Sequence, residues 1–170
     1  MSGEHGTRVE EEVRSIASDL GVADFVFTSA LVSKGGATRE LGDGLLIVGS
    51  LGAIVQVKAR DPERIVDDTP EAANRWAARH IKKADAQVHG SRREIERRLK
   101  LGDNLVAVPE RVQHLSPQES GAYALPIGGT VAAWPGIIVI DHPTADLDVD
   151  SECLVLSKGD WLELYHLMAR

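Results

Sequence analysis

Three polar residues stand out against the apolar stretch from Gly42 to Arg60: Asp43, Gln56 and Lys58. The apolar residues around them explain themselves as core, whereas a carboxylate, an amide and an ammonium on such strands do not. The stretch reads as two strands joined by the turn Gly49-Ser50-Leu51-Gly52. Side chains alternate along a strand, so Gln56 and Lys58 point one way and Val55 and Val57 the other. A connecting loop of even length sets Asp43 against Lys58 or a neighbour two positions along, with all three polar groups on one face. An odd loop separates them. Burying an unpaired Asp or Lys costs roughly several kcal/mol, so the cluster is paired, at a wet sheet edge, or employed in chemistry. The plain structural alternative is a cross-strand Asp43–Lys58 ion pair, worth about 0 to 1 kcal/mol if exposed.

The elements that must position these residues follow from periodicity. Val9, Val13, Ile16, Ala17 and Leu20 recur at helical spacing over 7–20, with Gly21 a suitable stop. Glu10, Glu11 and Glu12 lie in its opening turns, where carboxylates meet the positive end of the helix dipole. Asp24 to Thr28 has the composition of a first strand. Lys34 precedes Gly35-Gly36 in a segment that reads as a hairpin loop; bent around an anion, its backbone N–H groups would be joined by the Lys34 charge.

After Arg60, Thr69 and Pro70 are a cap and first residue for a long helix reaching about Lys100. Its apolar stripe is Ala73, Ala77, Ile81, Ala84, Val88, Ile95 and Leu99, and Gly90-Ser91 predicts a kink or break. Trp76, His80, Lys83 and Gln87 share one flank. With Arg79 and Lys82 they belong to the most basic part of the chain. Each charge alone reads as solvated surface, whereas together they could hold a phosphate backbone, because local fields extend only about 8 to 10 Å.

Leu105 to Val108 predicts a strand, 110–130 an irregular segment, and Ile137 to Ile140 a strand buried on both faces. Asp141-His142-Pro143 ends it in a turn. Cys153 to Leu156 is a further candidate strand, and Ser157 or Asp160 can cap a last helix.

Composition bounds the possibilities. The 170 residues suit one domain, and 43% hydrophobic with 26% charged residues is ordinary for a globular protein. A single cysteine, Cys153, excludes an intramolecular disulfide and any multi-cysteine zinc site, and predicts a reducing, cytoplasmic setting. No segment approaches the roughly 20 apolar residues of a membrane span, and the charged first residues do not read as a secretory leader. The formal net charge of −7 argues against a protein that coats nucleic acid non-specifically.

The order helix, three strands, helix, strand, with Asp43 opening the second strand and Gln56-Val57-Lys58 in the third, resembles the PD-(D/E)xK nuclease superfamily. The resemblance is to its Mrr- and NERD-like branches, in which Gln-x-Lys replaces Glu-x-Lys. It covers about 7–108 and implies an α/β, restriction-endonuclease-like αβββαβ core with a central mixed sheet flanked by helices. Residues 109–170 then add strands and a C-terminal helix to a single domain, 1–170.

The resemblance also implies a metal-dependent endonuclease that cuts DNA, RNA not being excluded, in restriction or defence. Mg²⁺ or Mn²⁺ would be held by Asp43, Glu10, the Gln56 side-chain oxygen and the Val57 carbonyl. Lys58 would orient or deprotonate the attacking water, and Gln87 would be an auxiliary catalytic residue. Glu40, close to Asp43 in sequence, competes with Glu10 as the extra acid. Lys34, Arg79, Lys82 and Lys83 are the expected nucleic-acid contacts, and a homodimer or larger assembly could present two such sites. Two features depart from the commonest pattern: Gln56 stands where a carboxylate is usual, and no Pro precedes Asp43. Gln56 lowers the negative charge of the site, which weakens cation binding and reduces repulsion of a phosphate. The alternative function is a catalytically inactive nucleic-acid-binding or assembly module of the same fold.

Overall fold

The computed structural model describes residues 2–18, 26–28, 31–34, 37–48, 50–66, 68–103, 105–110, 125–127 and 133–168. Its centre is a five-stranded mixed sheet built from β1 (Val26–Phe27), β4 (Gly44–Val48), β5 (Leu51–Ala59), β8 (Gly136–Asp141) and β9 (Leu154–Ser157), in that spatial order. β1, β4 and β5 pair antiparallel, while β5, β8 and β9 run parallel. Helix α3 (Pro70–Lys100) contributes to the core on one face. Helices α1 (Ser2–Ser18) and α4 (Lys158–Met168) cover the other. The chain is thus α/β, with a mixed sheet between helices.

The two faces of β5 show how one strand sorts its side chains. Ile54 joins the cluster under α3 with Ile81, Ala84, Ile138 and Ile140. Val55 and Val57 join Val9, Val13, Val139 and Trp161 on the other side. Each such side chain removed from water stabilises the fold by roughly 1.5 to 3 kcal/mol. Alanines at positions 73, 77 and 84 let the backbone of α3 lie close to the sheet, and all three are fully buried. Its start is the one expected: Thr69 Oγ1 accepts the Ala72 N–H at 3.2 Å and Pro70 is the first helical residue. The last helix is capped reciprocally, Asp160 N donating to Ser157 Oγ at 3.0 Å and Ser157 N to Asp160 Oδ2 at 3.1 Å.

Two expectations are revised. The segment 105–108 is not a full strand of the main sheet: β6 (Leu105–Ala107) pairs with β7 (Leu125–Ile127) in a two-stranded ribbon, and the segment meets the main sheet by a bridge at β1, where Phe27 opposes Pro109 and the Thr28 N–H donates to Val108 O at 2.9 Å. The strand that follows α3 into the main sheet is β8, whose apolar run pairs β5 on one side and β9 on the other. Gly90-Ser91 does not break α3, which is one helix of 31 residues; Val88, Ser91 and Ile95 are buried, so packing on both sides of the glycine outweighs its low propensity. The paired glycines 35–36 lie outside the described residues, between β2 (Leu31–Lys34) and β3 (Ala37–Glu40), whose antiparallel register is that of a hairpin.

Candidate functional site at the open end of the β4–β5 hairpin

β4 pairs with β5 from Gly44–Val55 to Val48–Leu51, leaving two residues between the strands. The even loop sets Asp43 beside Gln56, one step past the Gly44–Val55 pair. Because β4 begins at Gly44, β5 has no strand partner on that side from Gln56 onward, and the Val57 N–H needs another acceptor. Asp43 supplies it: the Val57 N–H donates to Asp43 Oδ2 at 2.7 Å. The Asp43 N–H in turn donates to Val55 O at 2.9 Å.

Lys58 completes the arrangement. Its Nζ donates to Val57 O at 2.9 Å and Gln56 Oε1 at 3.0 Å, and lies 3.5 Å from Asp43 Oδ2. Three oxygens, from a carboxylate, an amide and a backbone carbonyl, therefore converge on a single cationic nitrogen. The side chains of Asp43 and Lys58 are each 15% exposed, so the pair is reachable from solvent without being fully wet.

Two residues hold Asp43 there. Gly42 adopts φ +145°, and a Cβ at this position would stand 3.0 Å from Ile54 Cγ2 and 3.1 Å from Val55 O. The position favours glycine on both counts. From α1, Arg14 Nη1 donates to Asp43 O at 2.6 Å while its Nε donates to Glu110 Oε2 at 3.0 Å. The Arg14 stem crosses Gly44, where a Cβ would meet Arg14 Cγ and Cδ at 3.3 Å.

A cleft of about 200 Å³ opens beside this cluster, lined by Glu40, Gly42, Asp43, Gln56, Gln87 and Ser91. The Gln87 Oε1 atom is buried and has no hydrogen-bond partner within the described residues. Buried polar atoms are rarely left so, and this one belongs to a residue that lines the cleft. Glu10 belongs to the same electrostatic neighbourhood. Burial, then the negative charge of Asp43, raise its carboxyl above the usual range; Arg14 and Lys58 oppose the shift and Glu40 adds to it. Among the described residues no three His, Cys, Asp or Glu side chains are placed to share a metal ion. A cation here would rest on two carboxylates at most, with amide and carbonyl oxygens beside them.

The structure thus brings Asp43, Gln56, Lys58 and Gln87 together, with Glu10 and Glu40 near enough to feel one another. Lys82 and Lys83 are exposed on α3, and Arg79 lines a second cleft nearer the end of β5. Lys34 ends β2, and its side chain lies outside the described residues. Much of the remaining basic run is engaged in holding the fold: Arg97 and Arg98 pair with Glu94, and Arg92 donates to Trp134 O at 2.9 Å. Sequence reasoning missed Arg14 and Ser91. Arg14 lies one helical turn after Glu10, a spacing that puts both on one face of α1; Ser91 is buried one turn beyond Gln87.

Other candidate nucleophiles and bases are accounted for structurally. Burial and the Asp85 carboxylate push the Cys153 thiol up to about 12, leaving it protonated at neutral pH. His142 is buried against Asp68, with Nε2 3.2 Å from Oδ2. No helix among the described residues is long and apolar enough to cross a membrane. Compared with models of known families, with curated proteins and with solved structures, the chain matches none.

Proposed function

We propose that the Asp43–Gln56–Lys58 cluster is the centre of a metal-dependent nuclease of restriction-endonuclease-like fold that hydrolyses phosphodiester bonds in DNA. The observation that carries this reading is the convergence of Asp43 Oδ2, Gln56 Oε1 and Val57 O on one cation, the Lys58 ammonium, at 3.5, 3.0 and 2.9 Å. Oxygens gathered in this way fit an oxygen-preferring divalent ion, with Glu10 as a further carboxylate beside them. Bound there, Mg²⁺ or Mn²⁺ would acidify water and offset phosphate charge.

The chain's own residues supply the rest. Asp43 is held at backbone and side chain before substrate arrives, so little reorganisation remains to be done. Lys58 would carry its charge to the phosphate oxygens and orient the attacking water. Gln87 lines the cleft, and a turn of its side-chain amide would offer a hydrogen bond to a water or hydroxyl there. Replacing a carboxylate by Gln56 reduces repulsion of an incoming phosphate at the expense of cation affinity.

A specific observation favours a second reading. The Lys58 ammonium already occupies three of the four oxygens assigned to the cation, which would suit a binding module that has dispensed with metal. Incubation of the protein with duplex and single-stranded DNA, and with RNA, in Mg²⁺ or Mn²⁺ separates the two. Cleavage should fall at least about 100-fold in folded Asp43→Ala and Lys58→Ala proteins. Intact substrates under conditions where the wild type binds them would refute hydrolysis and favour the module.

A further inference from the structure

At the carboxyl end of β5 lies a second cleft, of about 220 Å³, whose wall includes Arg60, Arg64, Arg79, His80 and Asp61. Its three arginines come from three places: Arg60 just past β5, Arg64 from the short helix α2 (Pro62–Ile65), and Arg79 from α3. Three arginines on the wall of one small space set up a positive field that favours something of opposite charge there. Asp68 offsets only the innermost, pairing with the Arg60 guanidinium, which also lies 5.6 Å from the Trp76 ring centroid. Asp61 is committed to capping α2, accepting the Glu63 N–H at 3.1 Å. Among the described residues, neither the Arg64 nor the Arg79 side chain has a carboxylate partner, and both residues are exposed.

The chemistry is that of a phosphate site. Guanidinium forks match the oxygens of a phosphate and lose little on desolvation compared with lysine. The cleft is smaller than the roughly 300 to 1,000 Å³ that encloses a drug-sized molecule, which suits a small anion. His80 reports the local field: burial first, then Arg79, Lys83 and Lys58, lower its pKa, against a raising contact from Trp76 O at 2.8 Å from Nδ1. Lys58 is two residues before Arg60, a separation of about 7 Å along an extended strand, which is the scale of neighbouring phosphates on one nucleic-acid strand.

We infer that the Arg60–Arg64–Arg79 cleft binds a phosphate of the nucleic-acid strand whose neighbouring bond lies at Lys58. The inference rests on the nuclease reading for its substrate, and its test does not depend on cleavage. The affinity of the full chain for inorganic phosphate, and for short single strands of DNA with and without a terminal phosphate, is measured in the presence of EDTA. All should bind the wild type, and the Arg64→Ala/Arg79→Ala protein should bind at least about tenfold more weakly, with unchanged thermal unfolding because both residues are exposed. A preference for the phosphorylated strand that vanishes in the double variant identifies a terminal phosphate as the occupant. Equal affinity for both strands, reduced together, identifies an internal one.

In the unaltered protein, the His80 imidazole resonances should shift on adding phosphate. Binding that is indifferent to the double substitution, or a His80 ring unmoved by phosphate, overturns the proposal. Arginine-dependent binding by a protein that cleaves nothing leaves the phosphate site standing and refutes hydrolysis. Cleavage with affinity indifferent to both arginines does the reverse.

Discussion

Two polar clusters flank the end of β5, and they differ in how their carboxylates are matched. Around Asp68, a buried carboxylate meets Arg60 and His142, and His142 Nδ1 accepts the Thr144 N–H at 3.3 Å. Burial alone would raise the Asp68 carboxyl, but hydrogen bonds from His142 and Arg60 outweigh it and hold it below the usual range. Around Asp43, by contrast, Glu10 is raised by burial and like charge. A matched network stabilises a fold. A mismatched one is tolerated where chemistry or binding needs it.

That contrast can be broken most sharply by exchanging the roles of the two clusters. Asp43→Ala should abolish most cleavage while leaving a folded protein, whereas His142→Ala should do the opposite. Removing a side chain with 0% exposure and leaving Asp68 with one partner fewer should lower stability by about 2 to 4 kcal/mol. Cleavage per folded molecule should change by less than about twofold. Denaturant unfolding and rates at matched folded concentration check both halves. If His142→Ala abolishes cleavage without destabilising the protein, the division into matching and mismatched clusters is wrong.

A smaller effect should join stability to function at Gly42. An alanine there would sit at φ +145° and within 3.0 Å of Ile54 Cγ2, a strain of about 1 to 3 kcal/mol. Relief of the strain moves Asp43, so Gly42→Ala should lose both stability and cleavage.

The smallest effect is expected at Glu10. Its raised carboxyl means that ionisation costs stability above the folded-state pKa, and that this cost is removed as pH falls toward 4.5, the ordinary value. Glu10→Gln should therefore be slightly more stable than wild type at pH 7, by less than about 1 kcal/mol because the group is partly solvated. The advantage should shrink on acidification. Thermal unfolding across pH 4 to 8 checks the sign, and a loss of cleavage in the same variant would mark a residue kept for function at the expense of stability.

Much of the Asp43 site was legible in the sequence because strand alternation is local. Once the β4–β5 loop is even, Asp43, Gln56 and Lys58 must converge, and a helical flank with Gln87 can be read from spacing alone. The long helix was equally plain from its cap and its alanine stripe. Connections between distant segments were not legible. The continuous apolar run Ile137 to Ile140 marked a strand buried on both faces, and β8 is one, but that its neighbour is β5 was not legible. The support Arg14 gives to Asp43 spans 29 positions, and the Arg60, Arg64 and Arg79 cleft joins three elements whose charges read singly as surface. The fate of Gly90-Ser91 was misjudged because propensity speaks for an isolated helix, whereas Val88, Ser91 and Ile95 are buried.

The most direct measurement is calorimetric titration of Mn²⁺ into the wild-type, Asp43→Ala and His142→Ala proteins, with folding of each verified beforehand. A cation-binding centre at Asp43 predicts uptake by the wild type and by His142→Ala, and none by Asp43→Ala. Absence of uptake by the wild type, or equal uptake by Asp43→Ala, contradicts it.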